Sequence, residues 1–326
     1  SLGMTLIELM VAMTIGLFLT WGAFEVYVQS KGNYQTAEVA NRLQENARFA
    51  LETIEPDLRL AGFWGLSTNT AFAPDSTGIA VTCAGNDARG WALELQRPVS
   101  ASDDAYDIAG CGPHDSARAG SDVLIIRHAG ELPASPDPGQ IQVASNLAMA
   151  RLFDDGVVPA DIIAAGAETR DLQVHAYYVD NSSSFAPGVP SLRRLTLVKG
   201  GIIEDQEMIT GVENLQLQFG LDTNGDGSVE RYVDPNSPAV TPGAAGYLED
   251  ARIIAVRIWL LVRSEESPGP GFTDTRSYQP LDLDAAAITP GDADYPARFQ
   301  RVEVTRTVLL RNAVARRTRS WQGRNT

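Results

Sequence analysis

The run Asp222-Thr-Asn224-Gly-Asp226-Gly227-Ser228-Val-Glu230 carries the most legible chemistry in the chain. Oxygen-bearing side chains stand at its positions 1, 3, 5 and 9, with glycine at position 6. Calcium takes roughly six to eight hard oxygen ligands, and this spacing turns Asp222, Asn224 and Asp226 inward beside the Ser228 carbonyl, with Glu230 reached through water. Position 12 is Val233, so the bidentate glutamate of a helix-flanked loop is missing, and both flanks read as strands. The expectation is a strand–loop–strand Ca2+ site completed by a further donor, Asp234 being a candidate. The same residues would also favour an Asn-Gly/Asp-Gly hairpin turn that needs no ion.

Cys83 and Cys111, the only two cysteines, could be a disulfide, two unrelated thiols or half of a metal site. No histidine stands near them at ligand spacing, which argues against zinc. An exported chain would favour the disulfide, worth about 3 kcal/mol of loop-closure entropy. The three histidines are His114, His128 and His175. The last two lie in strand-like runs and read as structural. Asp103, Asp104 and Asp107 read as a solvated acidic face. No metalloprotease helix, nucleophile elbow, phosphate-binding glycine loop or Cys-x-x-Cys pair is present, so no residue set asks for an enzyme. A formal charge of −15, from 41 acidic and 26 basic residues, argues against direct nucleic-acid contact. Arg311, Arg316, Arg317, Arg319 and Arg324 form one local basic cluster, read as a solvated tail.

Whether the chain is exported is decided at the N-terminus. From Leu9 to Phe24 no residue is charged, and the apolar run from Met4 to Val28 is long enough to span a bilayer, interrupted by Glu8 and Glu25. A cleaved secretory signal would need a basic start and a small-residue cleavage site, and neither is seen. A plain anchor leaves Glu8 unexplained, because a charge within the membrane costs at least ~2.5 kcal/mol.

The string Gly3-Met4-Thr5-Leu6-Ile7-Glu8-Leu9-Met10-Val11-Ala12 resembles the class III signal of type IV pilins and pseudopilins. The resemblance implies a peptidase cut between Gly3 and Met4, methylation of the new Met4 N-terminus, and an assembly role for Glu8. Met4 stands where phenylalanine is commoner in that family, and only Ser1 and Leu2 precede the glycine. A carboxylate in hydrocarbon becomes tolerable when paired with a cation, and the freed α-amine of the same or a neighbouring subunit is one. The segments Gln44 to Gly62, GVENLQLQFGLDTNGDG, VRIWLLVR and LLRN also resemble minor pilins of the PilW type in content and order. Residues 63–200 carry little of that resemblance.

These residues need elements to position them. Leu43, Ala47, Ala50, Leu51, Ile54 and Leu58 recur at helical spacing with charged residues on the other faces. That pattern predicts an amphipathic helix laid on a sheet, bent near Gly32 and Asn33, kinked at Pro56 and stopped at Gly62. Strands are expected over 121–128, 172–179, 192–198, 212–221 and 251–262, with a closing strand at Val302 to Leu310. Residues 132–140, 234–246 and 267–296 read as loops or insertions too polar to pack. The expected fold class is α+β and type IV pilin-like: a long N-terminal helix packed on an antiparallel β-sheet head with long loop insertions. The expected segments are a leader remnant (1–3), the membrane or filament-core half of the helix (4–30), its amphipathic half (31–62) and a β-rich head (63–326).

The resemblance implies a minor pilin that primes pilus assembly and sits near the tip, supporting adhesion and twitching motility in a Gram-negative bacterium. Its implied partners are other minor pilins and the major pilin through the N-terminal helix, a large tip adhesin, the prepilin peptidase and the inner-membrane assembly platform. The head would lie in the periplasm before assembly and outside the cell afterwards. The alternatives are a minor pseudopilin of type II secretion and a membrane-anchored, calcium-dependent adhesin that never polymerises.

Overall fold

The structure, a computed structural model, describes residues 5–66, 78–163, 166–269, 271–282, 285–291 and 294–313. One helix dominates it. Helix α1 runs unbroken over Leu6–Leu60, 55 residues and so about 80 Å long at 1.5 Å per residue. The expected bend at Gly32 is absent, since the helix continues through that position. It also continues through Pro56 for another turn. The carbonyl that proline leaves unpaired is that of Glu52, an exposed residue where water can serve it. The helix ends as expected at Ala61, with Gly62 beyond it at φ +70°, the left-handed geometry that glycine adopts without strain.

The head follows in the order β1 (Thr82–Cys83), β2 (Asn86–Asp87), α2 (Arg89–Ala92), β3 (Val99–Ser102), β4 (Val123–Ala129), β5 (Gln142–Ser145), β6 (Ala150–Phe153), α3 (Ala160–Ile163), β7 (Glu168–Asp180), β8 (Ser191–Val198), β9 (Ile202–Thr210), β10 (Val212–Asp222), β11 (Arg231–Val233), β12 (Arg252–Arg263) and β13 (Arg301–Leu309). Two sheets result. The larger has nine strands, in the order β2-β1-β9-β8-β7-β4-β3 with β5 and β6 branching from β7. The smaller is β11-β10-β12-β13. Every pairing is antiparallel except the short parallel match of β1 with β9. Each strand expected from the sequence is present, and the fold is the long helix on largely antiparallel sheets that the pattern predicts.

The C-terminal half of α1 lies across both sheets. Its inward residues Leu43, Ala47, Ala50, Leu51, Ile54 and Leu58 share one core with Leu124 and Ile126 of β4, Tyr177 and Val179 of β7, and the inward rows of β10 and β12. Alternation along the strands sends Val123 and Ile125, with Val174, Ala176 and Tyr178, to the opposite face. There they pack with Trp64, Leu93, Leu95 and the two cysteines. Covered on both faces, β4 is buried throughout. At its leading end Asp122 bridges the sheets: its backbone N–H donates to the Leu215 carbonyl at 2.9 Å and its carboxylate accepts from Leu217 N–H at 2.8 Å.

Two expectations fail in the small sheet. The alternation of Ile254, Val256, Ile258, Leu260 and Val262 with Arg257, Trp259 and Leu261 predicts a half-buried strand, yet nearly all of β12 is buried. The reason is the segment after it, expected to be too polar to pack, which folds over the outer face and places Tyr278 on Trp259 and Leu261. Polar residues pack there because they satisfy one another. Arg301 forks onto Glu213 at 2.5 and 3.0 Å, lies 3.5 Å from Asp274, and donates to the carbonyls of Pro296 and Phe299. Tyr278 donates to Asp274 at 2.8 Å. Ala239 is likewise buried, with Val240 and Leu248 against the main core, so residues 234–246 also pack in part.

Candidate functional site

The N-terminal half of α1 is the most unusual surface in the molecule. From Leu6 to Val28 every residue is exposed, including Phe18, Trp21 and Phe24, and the first inward residue of the head core is Leu43. The stretch Leu6 to Phe24, about 28 Å of helix, matches the thickness of a bilayer's hydrocarbon core. Its few polar groups are dealt with internally. Thr14 donates to the carbonyls of Met10 and Val11, and Thr20 to those of Gly16 and Leu17, so neither hydroxyl needs water.

Glu8 closes the helix start. Its backbone N–H donates to Thr5 Oγ1 at 3.3 Å, and its carboxylate accepts from the Thr5 backbone N–H at 3.0 Å. This reciprocal cap satisfies two donors that a helix N-terminus otherwise leaves open. The pattern Thr-x-x-Glu shows it, though the sequence reading gave Glu8 no such role. Gly3 and Met4 lie outside the described residues, as do Arg316, Arg317, Arg319 and Arg324 of the basic cluster; Arg311 is exposed just after β13.

The loop between β10 and β11 forms where the sequence placed it. It is a strand–loop–strand turn that brings carboxylate oxygens of Asp222, Asp226 and Glu230 within 4.8 Å of one another. Asp222, almost fully buried, accepts from the N–H groups of Gly225 and, at 3.1 Å, Gly227, glycines at φ +85° and +87°. Asn224 Oδ1 accepts from Asp226 N–H at 2.8 Å, and Asp226 Oδ1 from Ser228 N–H at 2.7 Å. Glu230 Oε2 accepts from Thr223 N–H at 2.6 Å and folds back over the loop. Three converging carboxylates are a donor set suited to a hard divalent ion. Asp234 does not complete it. That residue lies beyond Val233, which pairs with Phe219 well up the ladder, and its carboxylate accepts from Gln218 at 3.1 Å.

Cys83 in β1 and Cys111 form a disulfide with Cα atoms 5.3 Å apart, buried in the core on the far side of the large sheet. His114 is exposed, whereas the other two histidines converge. His175 of β7 and His128 of β4 share the face that meets α1, and both meet Asp57 of the helix's last turns. Asp57 Oδ2 lies 2.5 Å from His175 Nδ1 and accepts from the Tyr177 hydroxyl at 2.5 Å, while Oδ1 lies 3.6 Å from His128 Nε2. Burial opposes the Asp57 charge, but the neighbouring imidazoles and the Tyr177 hydroxyl outweigh it and hold the carboxyl well below the usual carboxylate range. The sequence reading missed this trio. Its members lie far apart in the chain, and the one local hint is that His175 and Tyr177 share a strand face.

Residues 1–24 match the prokaryotic N-terminal methylation motif. Residues 176–312, from within β7 to just past β13, match the type IV pilus-assembly protein W family. The second half of the head is PilW-like. Both matches stand in the order a pilin requires, an assembly helix first and a head after it, and PilW proteins are structural subunits rather than enzymes. The PilW match begins earlier than the sequence resemblance and takes in β8 and β9, whereas the stretch Gln44 to Gly62 lies outside both matches. A solved structure, the type IV-like pilin TTHA1219 from Thermus thermophilus, is similar over 59% of this chain and 80% of that one, at 16% identity and a TM-score of 0.27. No curated protein matches the chain. The family carries with it processing by the prepilin peptidase, residence in the inner membrane as a prepilin, and assembly with other pilins.

Proposed function

We propose that this minor pilin primes assembly of a type IV pilus, sits at or near its tip, and supports adhesion and twitching motility there with a large tip adhesin. The observation that carries the reading is the bare apolar half of α1. A helix with fifteen large apolar residues exposed from Leu6 to Val28, and no partner for them among the described residues, is stable only in lipid or among like helices. In this reading cleavage leaves residues 4–30 as the filament-core half of the helix, residues 31–62 tie it to the head, and residues 63–326 form a head held in the periplasm until assembly. A head of this size would crowd a repeating shaft, which favours a low-copy place at an end.

Glu8 links the steps. While the chain is uncut, its carboxylate is occupied by the Thr5 backbone N–H. Cutting between Gly3 and Met4 places an α-amine one residue before that donor, and a full charge competes for the carboxylate in lipid far better than an amide does. The loop Asp222, Asn224, Asp226, Ser228, Glu230 takes Ca2+, which neutralises three converging carboxylates and fixes the hairpin on the head's surface.

The test is the mature N-terminus, read by mass spectrometry from membranes and from sheared pili. Methylated Met4 in sheared pili is the expected result. An intact leader, or a cut beyond Phe24, overturns the filament reading. A Glu8→Ala chain should insert into the membrane yet be missing from pili. A non-polymerising anchored protein would be indifferent to that change.

A further inference from the structure

The trio on the inner face of the large sheet has one hydrogen-bonding arrangement that leaves two basic atoms facing each other. His128 Nδ1 lies 2.8 Å from the Ala129 carbonyl, and a carbonyl only accepts, so the ring proton sits on Nδ1. In the neutral ring Nε2 then carries a lone pair. That nitrogen is buried, has no hydrogen-bond partner, and points at Asp57 Oδ1 across 3.6 Å, too far for a hydrogen bond. The other carboxylate oxygen is already served by His175 and Tyr177. With that ring neutral, a carboxylate oxygen and a lone-pair nitrogen face each other across the gap.

We propose that Asp57, His128 and His175 bind a divalent transition-metal ion, zinc by preference, that clamps the last turns of α1 to β4 and β7. Zinc bonds to imidazole nitrogen and carboxylate oxygen run about 2.0–2.1 Å, so two such bonds bridge a 3.6 Å gap at roughly 120°, close to a tetrahedral angle. One ligand atom from each of the three residues fits within 4.8 Å of the others. His175 supplies Nδ1 by moving its proton to Nε2, a solvent-assisted tautomer change at a ring that keeps some exposure. Tyr177 then still donates to Asp57 Oδ2, and the Ala129 carbonyl still fixes the His128 ring; metal-bound residues are oriented in this way by outer hydrogen bonds. Water takes the fourth place. Two nitrogens and one oxygen suit zinc and its neighbours and not calcium, so this clamp is distinct from the β10–β11 loop. It is also where the shaft joins the head: Gly62 N–H donates to the Arg127 carbonyl and Ala129 N–H to that of Phe63, holding the chain after the helix to β4.

The full chain in detergent, stripped with chelator, should take up one equivalent of Co(II) with visible absorption bands typical of tetrahedral nitrogen ligation, and Zn(II) should displace it. Replacing His128 by Gln should abolish the bands and weaken Zn(II) binding at least about tenfold, and His114→Gln, at an exposed histidine outside both sites, should leave both unchanged. No visible band in the wild type, or a band that survives in H128Q, overturns the proposal. Imidazole nitrogen NMR of the wild type settles the case in which H128Q fails to fold. With only three histidines, and a His114→Gln spectrum for assignment, Zn(II) must shift the Nε2 resonance of His128. An unmoved resonance means that a protonated imidazole holds the site instead and refutes the clamp.

Discussion

The segment between β12 and β13 is tied to the small sheet in part by Arg301, which donates to the carbonyls of Pro296 and Phe299, so Arg301→Met should loosen it. Both Arg301 and Glu213 are fully buried, and the guanidinium is the near partner of that carboxylate, with Arg263 Nε next at 3.7 Å. Breaking a buried pair by deleting one member costs about 3–5 kcal/mol, because the remaining charge is stranded in a medium that solvates it poorly. The carbonyls of Pro296 and Phe299 also lose their donor, which places the effect in the upper part of that range. Urea unfolding of the full chain in detergent, followed by circular dichroism of the β-rich head, should report it. With a slope of about 3 kcal/mol per molar, the midpoint falls by a little over ~1 M. Protease should also begin to cut within 264–300. A loss below about 1 kcal/mol refutes the assignment. The double change E213L/R301M separates charge from packing: it should recover part of the loss, Arg263 being left without its carboxylate, and a double variant as unstable as R301M would mean that shape rather than stranded charge was responsible.

Replacing Cys83 and Cys111 by Ser removes a cross-link between positions 28 apart in sequence and should cost about 3–4 kcal/mol in the chain-entropy account, seen as a lower melting temperature that reductant does not lower further. Asp122 gives the head an alkaline weakness. Burial pushes its carboxyl up to about 8, the Asp103 and Asp104 charges add to this, and the Asp104 and Leu217 N–H groups oppose it. The folded state therefore binds this proton more tightly than the unfolded chain, whose carboxyl titrates near ~4; the stabilisation is full below that and is lost as pH rises through about 8. Melting temperature should fall between about pH 6 and pH 9 in the wild type, and a flat profile would count against the shift. Added Ca2+ should raise the melting temperature of the chelator-stripped wild type and leave that of stripped Asp226→Ala where it is; equal behaviour of the two removes calcium from the β10–β11 loop.

Legibility followed the range of the interactions. Helix α1 and the strands β4, β7, β8, β10 and β12 were readable because each carries its own period of apolar residues, and Gly62 stopped the helix by a local conformational preference. The calcium-type loop was readable for the same reason, its donors lying within nine residues. The packing of 264–300 was not, because polarity alone cannot show that Arg301 will find Glu213 88 residues away and make a buried position tolerable for both. The Asp57 trio was hidden by the same arithmetic: His175 and Asp57 are 118 residues apart, and only the docking of α1 on β4 and β7 makes them neighbours. The bend expected at Gly32 failed for the opposite reason. Glycine weakens a helix by about 1 kcal/mol without obliging it to turn, and no tertiary contact there asks it to.

The division of α1 explains how one helix serves both a filament and a head. Its first half is apolar around the whole circumference and therefore has no preferred side, so any like helix or lipid can cover it. From Leu43 onward only one face is apolar, and that face is used up by two sheets at once. Pulling on the first half therefore loads an interface in which Leu43, Ala47, Ala50, Leu51, Ile54 and Leu58 are all buried and Asp57 is held by His175 and Tyr177. Because the helix runs through Gly32 and Pro56 without a break, a force along it reaches the large sheet directly rather than being absorbed at a hinge.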